Sequence, residues 1–380
     1  MCGIAGYYQS PLSQSVENIE KHQNIIQSMI QSLHHRGPDH GNFWCDNTSP
    51  VNLGHRRLSI IDLSQSGHQP MHSKSERYTL VYNGEIYNFS DLRQNLRQQG
   101  ITFNGHSDTE VLLAAIEIWG LNATLHKIDG MFAFALWDKQ EQTLHFARDR
   151  FGKKPLYIGW AGNALIFASE LKSLHAYPEF KAEICDIARH IYHHYGYITA
   201  PYSIFKGVWQ LKPAHSLSIP IHETQPNTDL SQDMTPYWVL PARTDNHISD
   251  IQSVISEFSA LLTHSVKTRM MSDVPLGSFL SGGIDSSLVT AIMQANSPQA
   301  IKSFTIGFEE KAYNEARYAK EIANYLGTDH QEHIISSDEA IQIIPNLAHI
   351  YDEPFADSSQ IPSYLVSKMA SSHALSLIHI

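Results

Sequence analysis

Two short segments of this 380-residue chain carry residue types at spacings suited to bond-making chemistry. At the N-terminus, Cys2 follows Met1 and precedes Gly3. A small second residue permits removal of the initiator Met. The thiol then lies beside a free α-amine, whose pKa near ~8 suits a general base. Attack on a carbonyl carbon would need no separate His or Lys. Taken alone, a cysteine at position 2 is a weak signal. The second segment is Ser281-Gly282-Gly283-Ile284-Asp285-Ser286-Ser287. Its glycines permit close backbone approach to a phosphate, a helix starting there favours an anion, and three hydroxyls add donors. It matches neither GxxxxGK[ST] nor GxGxxG. Asp285 would repel phosphate unless a divalent cation such as Mg2+ bridges the two. Asp352 and Glu353, in YDEPFADSS, are candidate partners for that cation, with surface capping of a helix end as the competing role.

The elements that must position these segments follow from apolar periodicity. MCGIAGYY reads as a short strand. Ile19, Ile25, Ile26, Met29, Ile30 and Leu33 mark a helix face. YTLVYN (78–83) alternates as a strand, and Ser107 with Glu110 forms a capping box opening a helix through VLLAAIEIW. MFAFALWD, TLHFARD, PLYIGW and ALIFAS are close-set strands that suggest antiparallel sheet. From about 249 the pattern changes. Ile251, Val254, Ile255, Phe258, Leu261, Leu262 and Val266 line a helix face, and strand–helix alternation then predicts a parallel sheet. We therefore expect domains at 2–185 and 249–380, with 186–248 as an interdomain connection carrying a hairpin of its own.

CGIAG, LHHRGPDHG (33–41), GHRRLSIIDLSQSGHQPM (54–71), YNGEIYNF (82–89) and GHSDTEVLL (105–113), in that order, resemble the class II glutamine amidotransferase domain over residues 2 to 185. The resemblance implies a glutaminase with Cys2 as nucleophile and Asn83 and Gly84 as oxyanion donors. It implies Arg57 as the clamp for the glutamine carboxylate and Asp108 as the partner of its ammonium. Leu58, Ser59, Ile60, Ile61 and Glu85 would make further glutamine contacts. His34, His35, His55, His68 and His106 are expected to serve loop structure. The SGGIDSS segment resembles the pyrophosphate-binding loop of enzymes that split ATP into AMP and pyrophosphate. Leu280, Ser281, Gly282, Gly283, Asp285, Ser286, Ser287 and Ile306 then become ATP contacts, and Asp285 with Asp352 the metal ligands.

The full ordered match resembles the family of bacterial glutamine-hydrolysing asparagine synthetases. That implies an α/β fold: an N-terminal nucleophile hydrolase αββα sandwich, followed by an incomplete parallel-sheet ATP-pyrophosphatase domain of the adenine nucleotide alpha hydrolase-like type. It also implies glutamine, aspartate and ATP with Mg2+ as small-molecule reactants: ammonia from glutamine would convert an adenylated aspartate β-carboxylate to asparagine. A homodimer is the assembly left open. A related enzyme amidating a sugar acid, and a glutaminase-only or regulatory protein, are the alternatives. The family continues with a second Gly- and acid-rich loop and a lysine beyond the last residues here, and the tail SLIHI departs from its pattern. Amide synthesis is therefore expected to fail in this chain and glutaminase to persist.

Composition sets the outer limits. Apolar residues make up 42%, ample for two packed domains. With 27 basic and 38 acidic residues the formal charge is −11, which argues against nucleic acid and an anionic membrane surface as partners. Three cysteines with no CxxC pair make neither a disulfide scaffold nor a zinc site. No signal peptide and no membrane span are expected, so a cytoplasmic location follows.

Overall fold

The structure is a computed structural model and describes residues 2–9, 16–46, 49–242, 250–310, 314–374 and 376–378. Met1, the expected boundary at 248/249, and the final His379 and Ile380 lie outside the described residues. Contacts divide the chain into two units. Met1–Pro241 joins Asp352–Ala356 in the first, and Ala242–Tyr351 joins Asp357–Ile380 in the second.

The first unit contains the strands β1 (Gly3–Gln9), β2 (His40–Cys45), β3 (Val51–Arg57), β4 (Met71–His72), β5 (Tyr78–Ile86), β6 (Gly130–Asp138), β7 (Thr143–Arg148), β8 (Tyr157–Ala161), β9 (Ala164–Ala168), β10 (Val208–Gln210), β11 (His215–Pro220) and β12 (Thr235–Pro236). Its helices are α1 (Val16–Gln31), α2 (Phe89–Gln98), α3 (Asp108–Trp119), α4 (Leu121–Lys127), α5 (Leu171–Leu174) and α6 (Asp186–Tyr195). The strands form two six-stranded sheets, ordered β10-β8-β9-β1-β3-β2 and β12-β11-β7-β6-β5-β4. All the pairings are antiparallel, as the close-set strands suggest.

Period-two alternation makes the layers. On β6, Ala133, Ala135 and Trp137 face the other sheet, while Phe132, Phe134 and Leu136 face α3 and its neighbours. On β1, Ile4 and Tyr8 point between the sheets, while Ala5 and Tyr7 meet Ile25, Ile26, Met29 and Ile30 of α1. The result is a helix–sheet–sheet–helix sandwich, the αββα arrangement the sequence resemblance leads one to expect. Ser107 caps α3 by accepting the Glu110 amide at 3.3 Å. Glu110 reaches back to the amides of Asn104 and Gly105 and not to that of Ser107.

Residues 186–241, expected to connect the domains, belong instead to the first unit. β10 extends one sheet beside β8, and β11 extends the other beside β7. The reason is the alternating apolar run: Leu211, Leu217, Ile219 and Ile221 enter the core between the sheets.

The second unit contains α7 (Ile251–Arg269), β13 (Leu276–Phe279), α8 (Ile284–Ala295), β14 (Lys302–Phe308), α9 (Ala316–Leu326), β15 (Asp329–Ile335), α10 (Ser337–Ile343), α11 (Leu347–Ile350), α12 (Gln360–Ser371) and β16 (Ser376–Ile378). Its sheet runs β15-β14-β13-β16, all parallel, as the strand–helix alternation predicts. The α7 face behaves otherwise. Val266 is buried and Leu262 packs beside it, but Ile251, Val254, Ile255, Phe258 and Leu261 are exposed.

One buried carboxylate organises the turn between β7 and β8. Asp149, 1% exposed, accepts the amides of Phe132 (3.2 Å), Phe151 (3.1 Å), Lys153 (3.0 Å) and Lys154 (3.0 Å). Asp149→Ala strands these amides, so unfolding free energy should fall by about 3 kcal/mol or more. Urea denaturation checks this; a loss below ~1 kcal/mol would contradict the role given to Asp149.

Candidate active site

Cys2 sits one residue before β1, where two contacts fix the chain. Ile4 donates its amide to Ser169 Oγ at 3.0 Å, and Ser169 returns its own amide to the Ile4 carbonyl at 2.8 Å. The Cys2 carbonyl accepts Arg36 Nε at 2.9 Å. The Cys2 thiol points at the Leu58 carbonyl, 3.6 Å away, just past the end of β3. The loop beyond is tied down by Arg57, which is 4% exposed. Its guanidinium donates to the carbonyls of Ser64 (2.8 Å), Ile61 (3.5 Å) and Asp62. Three of five guanidinium donors are thereby used, leaving two. Ser59 donates its amide to Asp39 at 2.7 Å; Ile60 and Ile61 lie half-buried in the same loop.

Asn83 and Gly84 lie on β5 opposite Ala133 and Phe132. Asn83 is 1% exposed, yet its Nδ2 has no hydrogen-bond partner. A buried unmade donor costs about 1–3 kcal/mol, so it calls for a ligand. Gly84 is obligatory: a Cβ there would stand 2.3 Å from the Met131 carbonyl. Asp108, at the start of α3, is buried and accepts Tyr82 Oη at 2.8 Å and the Ile86 amide at 2.9 Å. Burial pushes its carboxyl up, against those two hydrogen bonds. Burial also pushes Glu85 up to about 7, with Lys154 opposing and Asp108 reinforcing. A charge on Cys2 bears on both Tyr82 and Lys154, so these groups form one neighbourhood.

Several residues here carry no motif of their own. Asp62 adopts φ 57°, and its carboxylate accepts the Ser64 hydroxyl and the His106 amide, fixing the 58–64 loop. Arg36 lies inside LHHRGPDHG, which signals the segment without indicating the contact to Cys2. Of the histidines, His55 is fully buried on β3 and not in a loop; it donates Nε2 to the Tyr82 carbonyl, and burial pushes it down to about 3. It joins the two sheets and stays neutral.

In the second unit Ser281–Gly283 bridges β13 and α8. Gly282 has φ +83°, and a Cβ there would come within 3.0 Å of Tyr318 and Ala319. Gly283 caps α8 with no side-chain acceptor, so the first amides have no side-chain cap. Ser281 and Ser286 hydroxyls lie 3.0 Å apart, and Ser287 donates to the Gly283 carbonyl at 2.6 Å. Gly282's backbone, the uncapped helix and the hydroxyls suit an anion. Asp285 is exposed in the first turn of α8. Leu280 is buried against Ala319 and Ala323, and Ile306 packs toward Ile335.

Asp352 does not stand as a free carboxylate. It accepts the Lys172 amide at 3.3 Å and pairs with Lys172 Nζ at 3.3 Å, inside the first unit. Glu353 accepts the Ile204 amide at 2.7 Å and Tyr157 Oη at 2.9 Å. Among the described residues no group of three or more His, Cys, Asp or Glu is arranged to hold a metal. A cation at the loop would rest on Asp285 and phosphate oxygens, the arrangement Mg2+ ordinarily adopts.

No helix among the described residues is long and apolar enough to cross a membrane. Residues 1–238 match the family described as glutamine amidotransferase domain, and residues 257–377 match asparagine synthase. The second match runs into β16, further than the departure expected of SLIHI. Asparagine synthetase [glutamine-hydrolyzing] 1 of Bacillus subtilis is 37% identical over 98% of this chain and 56% of its own length. A putative asparagine synthetase [glutamine-hydrolyzing] 2 of Methanocaldococcus jannaschii is 36% identical over 97% of this chain and 72% of its own. Another putative asparagine synthetase, from Mycobacterium bovis, is 34% identical over 98% of this chain and 58% of its own. The chain thus spans little more than half the length of two of these relatives. It belongs to the glutamine-hydrolysing asparagine synthetase family, a class II glutamine amidotransferase domain joined to an ATP-pyrophosphatase-type synthetase domain.

Proposed function

We propose that the first unit hydrolyses glutamine through Cys2 and that the second uses ATP to make asparagine from aspartate with the ammonia released. The observation that carries the glutaminase reading is the buried, unpartnered Asn83 Nδ2 beside Gly84 on β5. With Met1 removed, the α-amine of Cys2 takes the thiol proton. The thiolate then attacks the side-chain amide carbon, and the carbonyl oxygen becomes an oxyanion. Asn83 Nδ2 and the Gly84 amide receive that charge. The α-ammonium returns its proton to the leaving nitrogen, ammonia departs, and a thioester remains. Water attacks the thioester, releasing glutamate and the thiol. The two uncommitted donors of Arg57 suit the substrate carboxylate. Asp108, whose carboxyl already accepts Tyr82 Oη and the Ile86 amide, suits its ammonium. Leu58, Ser59, Ile60, Ile61 and Glu85 line the remaining contacts.

In the second unit Ser281, Gly282, Gly283, Ser286 and Ser287 would hold phosphates, with Leu280 and Ile306 beside the base and Asp285 on Mg2+. Bound ATP, split to AMP and pyrophosphate, supplies activation of the aspartate β-carboxylate. Asp352 is withdrawn from the metal set, because both its oxygens are engaged by Lys172.

Asn83→Ala should lower kcat for glutamate release about 100- to 1,000-fold, the usual loss for an oxyanion donor. Cys2→Ala should abolish it. Full activity in Asn83→Ala would remove Asn83 from the mechanism.

Asp285 allows a test of sign. Without a metal, a carboxylate beside phosphate repels, so Asp285→Asn should tighten binding of Mg2+-free ATP and weaken binding of Mg2+·ATP. Calorimetric titration separates the two; an equal effect on both forms would refute the bridging role.

Glu85 predicts a pH effect on stability. Its folded pKa, about 7, lies above the ordinary 4.5. Its contribution is therefore complete below ~4.5 and is lost as pH rises toward 7. Glu85→Gln should gain stability over the native chain across that window and no further above it. A difference flat with pH would contradict the burial argument.

A further inference from the structure

Asp352–Ala356 belongs to the first unit, although the residues on both sides of it belong to the second. Its hold there is specific. Glu353 takes the Ile204 amide and Tyr157 Oη, and Ala356 donates its amide to the Gly196 carbonyl at 2.6 Å. That anchorage presents Asp352 to Lys172. Lys172 Nζ lies 3.3 Å from Asp352 and 3.0 Å from Glu170. Glu170 takes Arg36 Nη1 at 2.6 Å and His35 Nε2 at 2.9 Å. Arg36 in turn donates Nε to the carbonyl of Cys2 at 2.9 Å. The chain of contacts is unbroken from a synthetase-region carboxylate to the backbone of the nucleophile.

We propose that Asp352, Lys172, Glu170 and Arg36 act together as a positioning relay, through which the Asp352–Ala356 segment sets the alignment of Cys2 with Asn83 and Gly84. The charges alternate along the series, and Arg36 is 9% exposed with Nη2 unpartnered, so its place depends on Glu170. Burial raises the Glu170 carboxyl, but the His35 and Arg36 contacts outweigh it and hold the group ionised, well below the usual carboxylate range. Lys172 is what keeps two close carboxylates compatible. Remove Asp352, and Lys172 loses one of the two carboxylates that fix it; Glu170 then no longer dictates one Arg36 geometry. The thiol and its α-amine are untouched by this. The relay governs where the sulfur stands, not how acidic it is. Misplacement of a reacting atom by about an ångström can cost up to ~100-fold in rate.

The inference rests on the glutaminase reading, and its test separates the two. Asp352→Asn, Lys172→Met and their double variant are made in the full chain, with Lys172→Arg as the conservative replacement. We expect kcat for glutamate release to fall roughly tenfold in each single variant with KM little changed. The double variant should be no worse than either single, since both break one path. Lys172→Arg should restore most of the loss. The rate of Cys2 alkylation by iodoacetamide, read on the N-terminal peptide, should stay within about twofold of the native chain, because thiol activation is intrinsic to residue 2. Undiminished kcat in Asp352→Asn, additive losses in the double variant, or losses that track melting temperature would overturn the relay. A native chain that releases no glutamate would instead overturn the glutaminase reading, while the alkylation rates would still report on Cys2.

Discussion

Three hydrogen bonds hold the start of β1: Ile4 to Ser169 Oγ, Ser169 back to the Ile4 carbonyl, and Arg36 to the Cys2 carbonyl. The rest of the first unit depends on this clasp. β1 lies between β9 and β3 in a sheet whose two faces are both buried, so it cannot slide by one residue without reversing every side chain on it. Its register therefore sets the height of Cys2. β5, in the other sheet, carries Asn83 and Gly84 opposite β6 in a register that a side chain at Gly84 would break. His55 on β3, bonded to the Tyr82 carbonyl on β5, ties the two sheets together one residue from Asn83. The Cys2 thiol and donors from separate strands are thus brought into one constellation by sheet packing.

Much of this was legible from sequence because it is local. Alternation in GMFAFALWD fixes which side chains of β6 meet the other sheet, and the apolar spacing of α1 fixes its buried face from Ile25 on, although Ile19, on the same face by spacing, is exposed. The motifs around Cys2, Arg57, Asn83 and Asp108 identify segments whose residue types suit amide hydrolysis. What escaped is non-local. Arg36 and Glu170 stand 134 residues apart, and Lys172 and Asp352 stand 180 apart. No periodicity couples them. Asp62 has the side chain for a left-handed residue, but an Asp-Leu-Ser run does not say that its carbonyl will take Arg57. Within 186–248, the irregular sequence, the Lys212-Pro213 pair and the polar run ETQPNTDLSQDMTP suggest a connection, and only pairing with β7 and β8 shows that the strands of 186–241 are sheet.

The second unit shows the same limits in another form. SGGIDSS is recognisable because the chemistry is written in consecutive residues: a left-handed glycine, an uncapped helix start and three hydroxyls. The apolar face of α7 was legible as a face but not as an exposed one, since burial is decided by neighbours. Asp352 illustrates the point most sharply. Its residue type suits a metal, yet its oxygens are spent on Lys172, and charge pairing inside the first unit outweighs what the motif alone suggests.

The proposed reaction turns on residue 2 being an N-terminal thiol that stands in the glutamine pocket. A glutamine analogue with a reactive diazoketone in place of the amide carbon would report this directly. After incubation, mass spectrometry of the intact chain and its N-terminal peptide should show one adduct per chain, on Cys2, in a species lacking Met1. Glutamine in excess should prevent it. An adduct on Cys45 or Cys185, or a labelled chain that retains Met1, would contradict the account.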